Sequence, residues 1–146
     1  MEETTDFKET ARNLIARHEG LRLKPYKCTA GKLTIGYGRN LDAKGISTDE
    51  ARTMLDADIR SAYDELVGRP WFDEQNNDRK AALMDMCFNL GLGGLMSFKK
   101  MIEALTNQDY DEAARQMLNS KWAVQVGRRA ETLARIMRDG CLEPEL

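Results

Sequence analysis

His18-Glu19-Gly20-Leu21-Arg22-Leu23-Lys24-Pro25-Tyr26-Lys27-Cys28-Thr29-Ala30-Gly31-Lys32-Leu33-Thr34-Ile35-Gly36-Tyr37-Gly38 joins an acid to two short extended runs, and its reading decides the fold. Glu19 closes a helical pattern. The runs meet at Ala30-Gly31, and Leu33, Ile35 and Tyr37 alternate with Thr34, Gly36 and Gly38, so one sheet face reads as apolar and the other as nearly bare. Glycine weakens a strand and often marks a close approach by a ligand or another backbone. A carboxylate beside such a face suits a groove for an extended, flat-sided polymer such as a glycan. The plainer alternative is a small hairpin next to a helix-terminal glutamate. Side-chain parity sets a condition on the turn. If Ala30-Gly31 alone were the loop, Cys28 would pair with Leu33 and Thr34 would fall on the opposite face. An odd-length loop, or a bulge at Gly31, puts Cys28 and Thr34 on one face.

Working outward, Phe7, Ala11, Leu14 and Ile15 recur at helical spacing and predict a first helix over residues 5–17. The hairpin region runs from about 22 to 40. Ser47-Thr48-Asp49-Glu50 reads as a capping box that opens a helix to Leu66, with Ala51, Met54, Leu55, Ala62 and Leu66 on one stripe, ended by Gly68-Arg69-Pro70. The remainder reads as helix. Residues 78–90 are apolar nearly all round, which marks a central buried helix. Gly91, Gly93 and Gly94 break the chain, and Ser97 starts a short helix. Asp109 with Glu112 opens another, and Gly140 is placed to end the last one. Strands early and helices afterwards predict an α+β fold. Two lobes follow: a small hairpin lobe at 18–46 and a larger helical lobe of residues 1–17 and 69–146. A long linking helix at 47–68 joins them, the whole forming one domain over 1–146.

With 146 residues, 42% of them hydrophobic, the chain can bury a real core. Its net charge of −2 and sequence pI of about 5.5 exclude global attraction to anionic polymers. Lys121, Arg128, Arg129, Arg135 and Arg138 gather late, as a solvated helix face or as a positive wall on a groove for anionic polymer. Neither a basic surface nor aromatic stacking platforms are present for nucleic acid. Cys28, Cys87 and Cys141 are odd in number and scattered, which predicts free thiols made in a reducing compartment. No metal-ligand spacing occurs, and the one histidine, His18, reads as a helix-end structural residue. The acidic start, Met1-Glu2-Glu3-Thr4-Thr5-Asp6, does not read as a secretory signal, and no stretch reaches bilayer-spanning length.

The order Glu19-Gly20, Leu21, Leu23, Tyr26, Cys28 and then Thr34-Ile35-Gly36-Tyr37-Gly38 resembles the phage-type lysozymes of glycoside hydrolase family 24. Their signature is Glu-Gly-x-x-Leu-x-x-Tyr, an acid, then Thr-Ile-Gly-x-Gly. The resemblance continues through Asp49-Glu50-Ala51, Phe88-Asn89-Leu90-Gly91, Asp111-Glu112-Ala113-Ala114, Lys121-Trp122 and Gly127-Arg128-Arg129-Ala130, and so covers nearly the whole chain. Its serious departure is Cys28, where the family usually has aspartate.

The resemblance implies a lysozyme-like two-lobed fold with a cleft for a polymer and the first helix packed on the helical lobe. It implies a peptidoglycan-hydrolysing endolysin that cleaves the β-1,4 bond between N-acetylmuramic acid and N-acetylglucosamine in host-cell lysis, with no cofactor and no metal. The expected partners are bacterial peptidoglycan and, for release from the host cytoplasm, a separate holin; a monomer is expected, without nucleic acid or membrane as a partner. Glycosidic cleavage needs a proton for the leaving oxygen and a group that stabilises or attacks the opposite face of the sugar. Glu19 is the implied acid, and burial against apolar neighbours would keep a carboxyl protonated near neutral pH. Thr34 is implied to orient the attacking water, as inverting chemistry requires. Cys28 has three readings: thiolate base or nucleophile, a space for water, or an inactivating replacement. Phe88 and Asn89 resemble the family's cleft-lining pair, Phe88 having a plain alternative as core. Gln116 matches a glycan-contacting amide position, and Arg129 matches an arginine that would hold Glu19. A wall-binding protein impaired by Cys28 and a lytic transglycosylase are the rival functions. Arg39 is the expected partner for Asp58, which lies near the apolar stripe of the 47–68 helix.

Overall fold

The computed structural model describes residues 2–143, with side chains from residue 6. The fold is α+β: α1 (Glu2–Glu19), β1 (Arg22–Lys27), β2 (Leu33–Gly36), β3 (Arg39–Asn40), α2 (Leu41–Lys44), α3 (Thr48–Leu66), α4 (Pro70–Asp73), α5 (Asn77–Met96), α6 (Lys99–Thr106), α7 (Tyr110–Leu118), α8 (Lys121–Val126) and α9 (Arg128–Asp139). The chain divides into two compact units, Met1–Thr53 and Met54–Leu146, with the boundary inside α3. No single described helix is long and apolar enough to cross a membrane.

In the first unit the three strands form an antiparallel sheet in the order β1-β2-β3. Tyr26 pairs with Thr34 and Lys27 with Leu33, whereas Arg22 pairs with Gly36. The register therefore shifts between Arg22 and Tyr26, where Pro25 cannot donate to the ladder. The Cys28 N–H donates to the Lys32 carbonyl at 2.9 Å, so the loop is Thr29-Ala30-Gly31, one residue longer than a two-residue turn. Gly31 has φ +76°, the left-handed conformation that closes three-residue hairpin loops.

Ser47 and Glu50 form the expected capping box of α3: the Ser47 N–H donates to Glu50 Oε1 at 2.9 Å, and the Glu50 N–H donates to Ser47 Oγ at 3.1 Å. Glu50 also takes the Arg39 guanidinium in a two-point pair, with Arg39 Nη1 2.7 Å from Oε1 and Nη2 on Oε2. Arg39 is thus committed to Glu50, the capping residue that sequence patterning assigned only to α3. Its cation holds the Glu50 carboxyl down at about 2, with help from the Ser47 N–H.

The second unit holds the hydrophobic core: Leu66, Phe72, Leu83, Met86, Leu95, Met101, Leu105, Met117 and Met137 are its largest fully buried side chains. Of the α3 stripe only Ala62 and Leu66 are buried, while Met54 and Leu55 are exposed. The glycines after residue 90 bend α5 instead of ending it: Gly91 takes φ 75°, ψ 165°, and helix continues to Met96. Ser97 accordingly caps the C-terminal end of α5, its Oγ donating to the Gly94 carbonyl at 2.6 Å, and does not start α6. Asp109 caps α7 through the Glu112 N–H, and Gly140 ends α9 in the left-handed region. Arg79, on α5, stacks 3.4 Å over the Tyr110 ring and donates from Nε to the Met137 carbonyl at 2.7 Å. One side chain thus binds α5, α7 and the end of α9.

Candidate active site

Glu19 is the last residue of α1 and is exposed, so burial among apolar neighbours is not what holds it. Its carboxyl rests on Gly38, in the turn between β2 and β3. A Cβ at position 38 would lie 2.8 Å from Glu19 Cδ and collide with the carboxylate, and Gly38 has φ +74°. Both the space and the backbone conformation therefore require glycine at the end of the Thr34-Ile35-Gly36-Tyr37-Gly38 run.

Because Cys28 stands opposite Lys32, its side chain shares a face with Tyr26 and Thr34. The odd loop thus meets the parity condition that sequence reading set. Thr34 is buried, and its hydroxyl donates to the Lys32 carbonyl at 2.8 Å. The face that reads as bare is therefore the covered one, while Leu33 and Tyr37 of the apolar set are exposed. Cys28 is half-buried. Its thiol is held below the ordinary thiol value by hydrogen bonding to the Lys32 backbone and then the Ala30 backbone, which outweighs the opposing desolvation; the Thr34 hydroxyl adds a smaller lowering effect. Cys87 behaves oppositely: burial in the core pushes it up and keeps it a neutral thiol. A lowered thiol beside a hydroxyl can take a proton from a water held between them.

In the second unit, Phe88 and Arg129 line one pocket of about 460 Å³ with Leu55, Ile59 and Met84 of α3 and α5. The Phe88 ring is exposed rather than core, and the Arg129 guanidinium is held by Asp85, with Nη2 2.6 Å from Oδ1. Sequence reading passed over Asp85; its signal was that it is the only charged residue of α5 beyond Lys80. Asn89 and Gln116 belong to a different neighbourhood. Trp122 Nε1 donates to Asn89 Oδ1 at 2.7 Å, which leaves the Asn89 amide N–H groups free as donors. Gln116 donates from Nε2 to Glu112 at 2.7 Å, leaving its oxygen to accept. Trp122, buried against Phe98 in an edge-on pair, orients Asn89, a role that the sequence did not assign to it. Among the described residues no group of His, Cys, Asp and Glu side chains is arranged to hold a metal ion.

The family model for phage lysozyme matches residues 16–138. The chain belongs to the phage lysozyme family. It is similar to a probable T4-type lysozyme 1 of Dictyostelium discoideum, 25% identical over 90% of this chain and 95% of that protein. An endolysin of Acyrthosiphon pisum secondary endosymbiont phage 1 is 32% identical over 75% of each chain. The pre-baseplate central spike protein Gp5 of Enterobacteria phage T4 is 28% identical over 89% of this chain, which spans only 28% of that protein's length. As a phage lysozyme the chain is a glycosidase of the muramidase kind, with peptidoglycan as its substrate class.

Proposed function

We propose that this phage lysozyme hydrolyses the β-1,4 bond between N-acetylmuramic acid and N-acetylglucosamine, with Glu19 as general acid and Cys28 with Thr34 activating water. The observation that supports this most is the odd hairpin loop, which sets the lowered Cys28 thiol and the Thr34 hydroxyl on one face. The same unit carries the Glu19 carboxyl seated on Gly38. Water adds to the anomeric carbon while the thiolate takes its proton. The glycosidic bond breaks, and Glu19 gives its proton to the departing sugar oxygen. Bound glycan would cover the exposed Glu19 and exclude water from the transfer. Phe88 offers a ring for a sugar to stack on, Asn89 donors and Gln116 an acceptor, while Arg129 is an anchored cation for acidic groups.

Likeness to phage endolysins supports a role in host-cell lysis, with release from the cytoplasm through a separate holin. Expression alone should then leave cells intact, and membrane permeabilisation should lyse them. Analysis of chain ends after digestion of purified peptidoglycan tests the chemistry. New reducing ends are the expected result. Anhydro-muramic ends would replace hydrolysis with transglycosylation, and sedimentation with the wall without new ends would mean binding alone.

A further inference from the structure

The peptide between Lys32 and Leu33 is hydrogen-bonded at both ends, and its partners come from three parts of the first unit. Its carbonyl, on Lys32, accepts the Cys28 N–H at 2.9 Å and the Thr34 hydroxyl at 2.8 Å. Its N–H, on Leu33, donates to Asp42 Oδ2 at 2.7 Å. A trans peptide is planar and points these two groups opposite ways, so a bond at one end fixes the direction of the other. The carbonyl faces β1, and the N–H faces the side of β2 on which β3 lies. β3 stops short, however: its two residues pair with Ile35 and Thr34, and neither reaches Leu33. Asp42, in the first turn of α2, supplies the acceptor that a longer β3 would have offered.

A carboxylate acceptor makes this bond stronger than a neutral ladder bond, and it polarises the peptide so that the Lys32 oxygen accepts better in turn. A hydroxyl has one proton and two lone pairs. With its proton committed to Lys32, the Thr34 oxygen is left to accept. A water that gives one proton toward Thr34 and the other to the Cys28 thiolate keeps its lone pairs for the anomeric carbon. We propose that Asp42 is a positioning residue for hydrolysis: by holding the Lys32–Leu33 peptide it sets the Thr34 hydroxyl as the acceptor for the attacking water. This rests on the water-activating role of Cys28 and Thr34 and adds the residue that orients it.

The test uses the full chain on soluble, uncross-linked peptidoglycan strands, with new reducing ends as the readout, so that kcat and KM separate. Asp42→Ala should lower kcat about tenfold and leave KM within about twofold, because it misorients the attacking water and spares glycan binding. α2 buries no side chain, so this variant should melt near the parent, and rates are taken per folded molecule. Asp42→Asn keeps an oxygen that can accept the Leu33 N–H and should recover most of the loss. Exchange of the Leu33 amide, followed by NMR, should be slow in the parent and in Asp42→Asn and fast in Asp42→Ala. In a Thr34→Val background, Asp42→Ala should lower kcat no further, since the group it orients is gone. An equal further loss in that background, or no recovery in Asp42→Asn, would overturn the proposal. A slow Thr34→Val beside an Asp42→Ala of parental kcat would overturn it alone, leaving water activation by Thr34 in place. Parental kcat in Thr34→Val would instead refute that activation and take this proposal with it.

Discussion

The units Met1–Thr53 and Met54–Leu146 are held together by different physics. Among the described residues of the first, Thr34 is the only buried one; its frame is a sheet ladder, positive-φ glycines and the Arg39–Glu50 pair. The second buries Leu66, Phe72, Leu83, Met86 and Met117 completely. The candidate chemistry of Glu19, Cys28 and Thr34 sits in the unit that depends on directional bonds, which fix the placement of a few atoms but stabilise little. The packing that stabilises sits elsewhere, so the two properties should come apart under mutation.

The largest separation is expected at Glu19. Glu19→Gln keeps the size of the side chain but removes the proton it would deliver, a contribution of about 10²–10⁴-fold in rate. The melting curve should stay that of the parent. Substantial residual lysis of purified walls by this variant would end the assignment of Glu19 as the acid.

Leu83→Ala should do the reverse. Leu83 is fully buried on α5, and truncation there should cost about 2–5 kcal/mol in a denaturant titration. Activity per folded molecule should stay near that of the parent. A loss below 1 kcal/mol would mean that the core can collapse around the change, or that α5 is packed more loosely than described.

These contrasts were unequally legible in the sequence. Caps were readable because they are local: Ser47 with Glu50, Asp109 and Gly140 each act within one turn of their own helix. The hairpin parity was readable as a condition, because alternation fixes which loop lengths bring Cys28 and Thr34 together. Burial of Thr34 was not readable, since the strand pattern marks it polar and only the paired Tyr26 and Cys28 face reveals its surroundings. The Asp85–Arg129 pair and the Arg79 anchor on α9 join residues 44 and 58 positions apart, and no periodicity encodes such contacts. Gly91 was read as a break because glycine permits one; packing of Leu95 in the core carries helix beyond it.

A smaller effect should follow Glu50. Its carboxyl is lowered in the folded chain from 4.5 to about 2, so the stabilisation is fully present above the unfolded value and is lost as pH falls through that window. Glu50→Gln should therefore lower the thermal midpoint at neutral pH, and its gap from the parent should close between pH 4.5 and about 2. A gap that is constant across the window would show that the Arg39 pair contributes nothing.

The departure of this chain from its family, and the claim that the odd hairpin loop makes it workable, both rest on Cys28. The direct measurement is the pH–rate profile of wall hydrolysis for the parent, Cys28→Ala and Cys28→Asp. The parent should gain activity with rising pH through a thiol ionisation below the ordinary value, the direction set by the Lys32 and Ala30 backbone and the Thr34 hydroxyl. Alkylation should inhibit it through Cys28, while buried Cys87 stays unmodified. Cys28→Ala should lose about 10²-fold or more, the scale of a general base. Cys28→Asp should stay active, with the rise moved into the acid range. Cys28→Ala as active as the parent, with an unchanged profile, would contradict the account and leave the reaction to Glu19 and a water on Thr34.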